Sequence, residues 1–71
     1  MQRGAVSSSQ IRSIGHDTDT NTLEVEFNNG AVYQYDSVPR EVYLSLMNAG
    51  SVGSYFNSHI KGNPAHPYRR V

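Results

Sequence analysis

Apolar and acidic residues alternate without a break through Leu23-Glu24-Val25-Glu26-Phe27, the period of a strand with one face in a core and the other in water. Asn28-Asn29-Gly30 then turns the chain, and a second extended run from Ala31 to Asp36 returns antiparallel because so few residues separate the two. Two loops suit this turn. A two-residue Asn29-Gly30 loop sets Phe27 opposite Val32 and Val25 opposite Gln34, which places Tyr33 and Tyr35 on the glutamate face, in water. A three-residue loop with Gly30 left-handed sets Val25 opposite Tyr33 and Leu23 opposite Tyr35, so that both tyrosines line the core. The second is preferred because it keeps Gln34 out of the apolar face.

Upstream, Gln10 to Asp17 carries Ile11 and Ile14 on opposite faces of an ideal strand, so a strand here needs a bulge, for which Gly15 is the natural site, or a sheet covered on both faces. Asp17 to Asn21 is a run of side chains that hydrogen-bond nearby backbone and favour turns. Met1 to Ser9 has little apolar surface to anchor it and is expected to fray.

Downstream, Val38-Pro39 opens a helix expected from about Pro39 to Ala49, with Glu41 in the first turn, where the positive helix end favours a carboxylate. Val42, Tyr43, Leu46, Met47 and Ala49 extend its apolar stripe. Leu44 falls off that stripe beside Arg40 and marks a candidate contact patch. Gly50 stops this helix, and Ser51 caps a second one running to about Lys61. Val52, Tyr55, Phe56, His59 and Ile60 form one face of it, with His59 packed mid-stripe. Gly62-Asn63-Pro64 ends the second helix, and a tail runs from Ala65 to Val71.

These elements predict an α+β fold, a three-stranded antiparallel meander covered on one face by two short C-terminal helices. Residues 1–9 are expected as a flexible N-terminal segment, 10–62 as a single domain and 63–71 as a C-terminal tail. A chain of 71 residues supports one small core. Absence of cysteine excludes disulfide staples and thiolate metal sites. Six basic residues balance six acidic ones, so the whole molecule exerts no long-range pull on phosphate, and any such affinity must be local. No apolar run approaches a bilayer span and the N-terminus lacks a signal-peptide pattern, so a cytoplasmic protein is the default expectation.

Val6-Ser7-Ser8, Ile11, Ile14-Gly15, Leu23-x-Val25-x-Phe27-x-Asn29-Gly30, Tyr33-x-Tyr35, Val38-Pro39 and Gly53-x-Tyr55-Phe56-Asn57 with Ile60 resemble the KTSC domain, named for its occurrence at the C-terminus of some lysyl-tRNA synthetases. The likeness runs from about Val6 to Lys61. Family members are mostly stand-alone bacterial or phage proteins of this size, marked by the central tyrosine pair. The resemblance implies RNA binding, the role proposed for the family. His16 departs from it where such sequences more often carry an aromatic residue, and the strands hold few basic residues. No residue inherits a catalytic role.

Tyr33, Tyr35, Arg12, Arg69 and Arg70 form the candidate nucleic-acid site, in which aromatic rings would stack unpaired bases while arginines hold phosphates. The competing reading makes the tyrosines core and the arginines a solvated rim. His16 and His66 are expected at the surface, and the spacing of the three histidines matches no metal motif. Ser51, Ser54 and the serine triplet lack a nucleophile elbow and read as caps and linkers. Glu24 and Glu26 read as solubilising acids on a strand's outer face. Gly50-Ser51-Val52-Gly53 lacks the glycine-rich loop and lysine of a nucleotide site. The resulting expectation is a non-enzymatic binding module without cofactor or metal and without membrane attachment, with RNA as the first-choice ligand. The alternative is a protein-interaction or self-association module using a strand edge or the patch of Arg40 and Leu44.

Overall fold

The computed structural model describes residues 1–71. Strands β1 (Arg3–Ala5), β2 (Ile11–Asp17), β3 (Thr22–Phe27), β4 (Val32–Tyr35) and β5 (Tyr68–Arg70) form one antiparallel sheet in sequence order. Helices α1 (Arg40–Met47) and α2 (Val52–His59) lie between β4 and β5 in the chain. The α+β class therefore holds, but the sheet has five strands where three were expected. Both additions come from segments the sequence assigned to a frayed N-terminus and a tail. Arg3-Gly4-Ala5 and Tyr68-Arg69-Arg70 are exposed at every position, so they carry no apolar period. Backbone pairing to β2 and β4 orders them instead.

The β3–β4 hairpin uses the three-residue loop. Gly30 takes φ of +89°, its N–H donates to the Phe27 carbonyl at 2.9 Å, and the Phe27 N–H donates to the Ala31 carbonyl at 2.9 Å. Only glycine holds that backbone without strain. Val25 then faces Tyr33, and Leu23 faces Tyr35, as that loop requires.

The β2 bulge is real but sits at Arg12, not Gly15: Ile11 pairs with Phe27 and Ser13 with Glu26, which leaves Arg12 as the extra residue. This single insertion returns Ile11 and Ile14 to one face, and both are fully buried. Gly15 answers a different need. It lies opposite Arg3, and a side chain there would drive into the Gln2 carbonyl oxygen.

Ile11, Ile14, Leu23, Val25 and Tyr35 of the sheet pack with Val38, Leu46, Val52, Phe56 and Ile60 in one core. Pro39 caps α1 rather than opening it, its carbonyl accepting from Val42 and Tyr43 at 3.1 and 3.2 Å. Ser51 caps α2, its Oγ accepting from the Ser54 N–H at 3.3 Å. Two histidines change places with the expectation. His16 is half-buried, stacked on Tyr43 at 5.0 Å and donating from Nε2 to the Val38 carbonyl at 2.7 Å. His59 is exposed beside Tyr55, because α2 ends there and Ile60 takes the buried position. His66, also half-buried, donates from Nδ1 to the Asp36 carbonyl at 3.2 Å.

Candidate functional site

Strand register sorts the chemistry of the sheet into two faces, because paired residues share a side and successive residues alternate. On the helix side, Tyr35 pairs with Tyr68, and Tyr33 with Arg70. A groove of about 360 Å³ opens there, lined by Phe27, Tyr33, Tyr35, Lys61, Gly62 and Tyr68. Of the hollows on this surface it alone is lined mainly by apolar side chains. Its rings form a continuous chain: Phe27 meets Tyr33 edge-on at 5.7 Å, Tyr33 tilts against Tyr68 at 5.7 Å, and Tyr68 tilts against Tyr35 at 5.9 Å. Tyr68 is 63% exposed and presents the open aromatic surface, whereas Tyr35 is buried at the inner end.

The opposite face carries a hydrogen-bonded ladder across the sheet. Arg69 donates to Asp36 Oδ1 at 2.7 Å and to Gln34 Oε1 at 2.8 Å. Gln34 donates in turn to Glu24 Oε1 at 2.9 Å. Arg3 pairs with Glu24 and donates from Nε to Ser13 Oγ at 3.0 Å, and Ser13 donates to Glu26 Oε1 at 2.9 Å. Arg12 closes the far end, 3.7 Å from Glu26 and donating to the Asn28 carbonyl at 3.2 Å. The acids expected as mere solubilisers are thus the hubs of this ladder.

The candidate site read from sequence is accordingly divided. Tyr33, Tyr35 and Arg70 share the groove side, while Arg12 and Arg69 lie on the far face with carboxylate partners. Phe27, Lys61 and Tyr68 complete the groove, and sequence reasoning did not assign them to it. The available signal was Tyr68 itself, noted only as part of a basic cluster in the tail. Arg40 and Leu44 stand one turn apart on α1, both exposed. Among the basic residues, Arg3, Arg12 and Arg69 form ion pairs; Lys61, Arg70 and Arg40 do not.

Glu24, 8% exposed, shows how tightly the ladder is bound. Burial by itself would raise its pKa, but hydrogen bonds from Gln34 and Arg3 and the Arg3 charge outweigh that, so the carboxyl sits below its ordinary value of 4.5. A folded-state pKa below the unfolded one adds stability above the unfolded value, and this is lost as pH falls through the folded value. The protein should therefore lose stability as pH drops below about 4.5. Urea midpoints measured across that range should fall less steeply for Glu24→Gln, and an identical slope would remove Glu24 as the cause.

Comparison with known proteins adds three findings. A family model described as the KTSC domain matches residues 7–63, which takes in Phe27, Tyr33, Tyr35 and Lys61 but not Tyr68 or Arg70. An uncharacterized protein of Stutzerimonas stutzeri is 48% identical over 61 residues, 86% of each chain, and a lysine–tRNA ligase of Nostoc punctiforme is 44% identical over 54 residues, 76% of this chain but 10% of the ligase. The crystal structure of a KTSC domain protein from Yersinia pestis superposes with a TM-score of 0.93 at 41% identity, covering 99% of this chain and 96% of that one.

Proposed function

The chain belongs to the KTSC domain family, and on that premise we propose that it is a non-enzymatic binding module that takes single-stranded RNA at the aromatic groove. One observation carries the reading: the groove that exposes Tyr68 is flanked by Lys61 and Arg70, cations with no carboxylate partner, while every arginine on the opposite face is neutralised. An open π-surface beside unpaired positive charge suits a base and its phosphate. It also answers the balanced composition, since the attraction needed is local. A lysine–tRNA ligase carrying a homologous segment gives RNA further support as the ligand. Homology to a segment of a lysine–tRNA ligase is compatible with a cytoplasmic location.

Fluorescence anisotropy with a short single-stranded RNA tests the proposal. With two phosphate contacts, a roughly fourfold rise in salt should weaken binding about sevenfold. Tyr68→Ala removes an exposed ring, so it should leave the thermal midpoint nearly unchanged and cost about tenfold or more in affinity. Binding that ignores both changes would refute the reading.

A second reading, a protein-interaction or self-association module, draws on Leu44, which is 43% exposed next to unpaired Arg40. Association centred there would show little salt dependence and would survive loss of Tyr68.

A further inference from the structure

Of the asparagines along the chain, Asn29 alone is followed by glycine. A backbone nitrogen can attack the side-chain carbonyl of the asparagine before it, and a β-carbon on the attacking residue stands in the way. After Asn21, Asn28, Asn48 and Asn57 the next residue carries one, and after Asn63 the nitrogen belongs to Pro64 and has no proton to give up. The Asn29-Gly30 pair is free of both obstacles.

The hairpin loop presents that pair to solvent. Both residues are exposed, and nothing lies within 4 Å of the point where a Gly30 β-carbon would stand, so water and base reach the Gly30 nitrogen. Asn29 Oδ1 accepts from the Ala31 N–H at 3.0 Å, which folds the side chain forward along the Gly30 peptide and draws electron density from Cγ. The electrophilic carbon is therefore held on the side of its nucleophile. What restrains the nitrogen is the bond its N–H donates to the Phe27 carbonyl at 2.9 Å. A hydrogen bond at an exposed loop tip opens at little cost.

We propose that Asn29 is a self-modification site of the folded protein. The Gly30 nitrogen gives its proton to solvent base and bonds to Asn29 Cγ; the Cγ–Nδ2 bond breaks as Nδ2 takes up a proton and leaves as ammonia, and a succinimide ring is closed. Water then opens that ring at either carbonyl. Attack at Cγ yields aspartate, whereas attack at the backbone carbonyl yields isoaspartate, in which the chain runs through Cβ and Cγ. The net change is water in and ammonia out. Aspartate keeps the three-residue loop, but isoaspartate lengthens its backbone. That loop sets Val25 against Tyr33 and Leu23 against Tyr35, so the isomer strains the hairpin that carries the aromatic groove.

The test incubates the full folded chain in mildly acidic and mildly alkaline buffer and follows every asparagine by peptide mass spectrometry, with an isoaspartate-specific methyl-transfer assay alongside. Residue 29 should convert ahead of all the others, about tenfold faster for each unit of added pH because hydroxide draws off the Gly30 proton. Isoaspartate should appear among the products, since direct hydrolysis of the amide gives aspartate alone. Asn29→Gln moves the amide one carbon farther from the nitrogen at an exposed position, so it should leave the thermal midpoint unchanged and stop conversion there. An intact Asn29, earlier conversion at another asparagine, a rate indifferent to pH, aspartate as the sole product, or undiminished conversion in the variant would each overturn the proposal. The purified isoaspartate form should also melt below Asn29→Asp, and equal midpoints would overturn the strain assigned to the longer loop.

Discussion

Phe56→Ala should strip the domain of about 3–5 kcal/mol, the usual range for truncating a buried phenylalanine. A chain of this length holds a total of roughly 4–10 kcal/mol at typical per-residue stability, so this one truncation should remove about half of it. Phe56 is fully buried and is the largest side chain that is so. It meets Phe27 at 5.7 Å and Tyr35 at 5.3 Å, both near edge-on, and thereby joins α2 to β3 and β4. Urea titration followed by far-ultraviolet circular dichroism reads the loss directly. A midpoint within a few tenths of a molar of wild type would show that the helices are held by something other than this ring. Phe56 also supports Phe27 and Tyr35 of the groove, so under the proposed function the folded protein that survives should bind RNA poorly.

The second large effect is expected at Gly15. A β-carbon there would press on the Gln2 carbonyl oxygen and lie 3.0 Å from Arg3 Cγ, within the backbone of the neighbouring strand. Backbone cannot step aside as the end of a flexible side chain can. Gly15→Ala should therefore push β1 off the sheet, with a loss of about 1–3 kcal/mol as for other overpacked sites. Gly50→Ala is the matched control, since an added carbon there meets nothing within 4 Å. Amide exchange localises the damage. Protection of residues 3–5 and their β2 partners should fall in Gly15→Ala, and the Arg3 contacts to Glu24 and Ser13 should go with it. Retained protection at Ala5 would mean that β1 accommodates the methyl group and that glycine is not required.

Where hydrophobic period and turn chemistry agree, the sequence was legible. Leu23, Val25 and Phe27 announce β3, and the wish to keep Gln34 off the apolar face selects the register in which Tyr35 is buried. Ser51 and Gly50 mark the corner between helices. Legibility ends where backbone pairing acts without apolar side chains. Three exposed residues at each edge give no pattern to read, so β1 and β5 were invisible, and with β5 went the pairing of Tyr68 with Tyr35. The candidate site is split between the two faces for the same reason. Arg69 and Arg70 look like one basic cluster along the chain, but in a strand adjacent residues point to opposite sides, so one stands by the groove and the other is spent on Asp36. Arg12 was misplaced by the bulge it occupies, since the insertion was assigned to Gly15.

The placement of β5 also governs the order in which the molecule can assemble. Every other strand pair is joined by a short turn, whereas β5 meets β4 only after the chain has run through residues 36–67 and both helices. Closing so long a loop is the entropically costly step, and local hairpins form ahead of it. The aromatic groove, which needs Tyr68 beside Tyr33 and Tyr35, is thus the last part of the molecule to form.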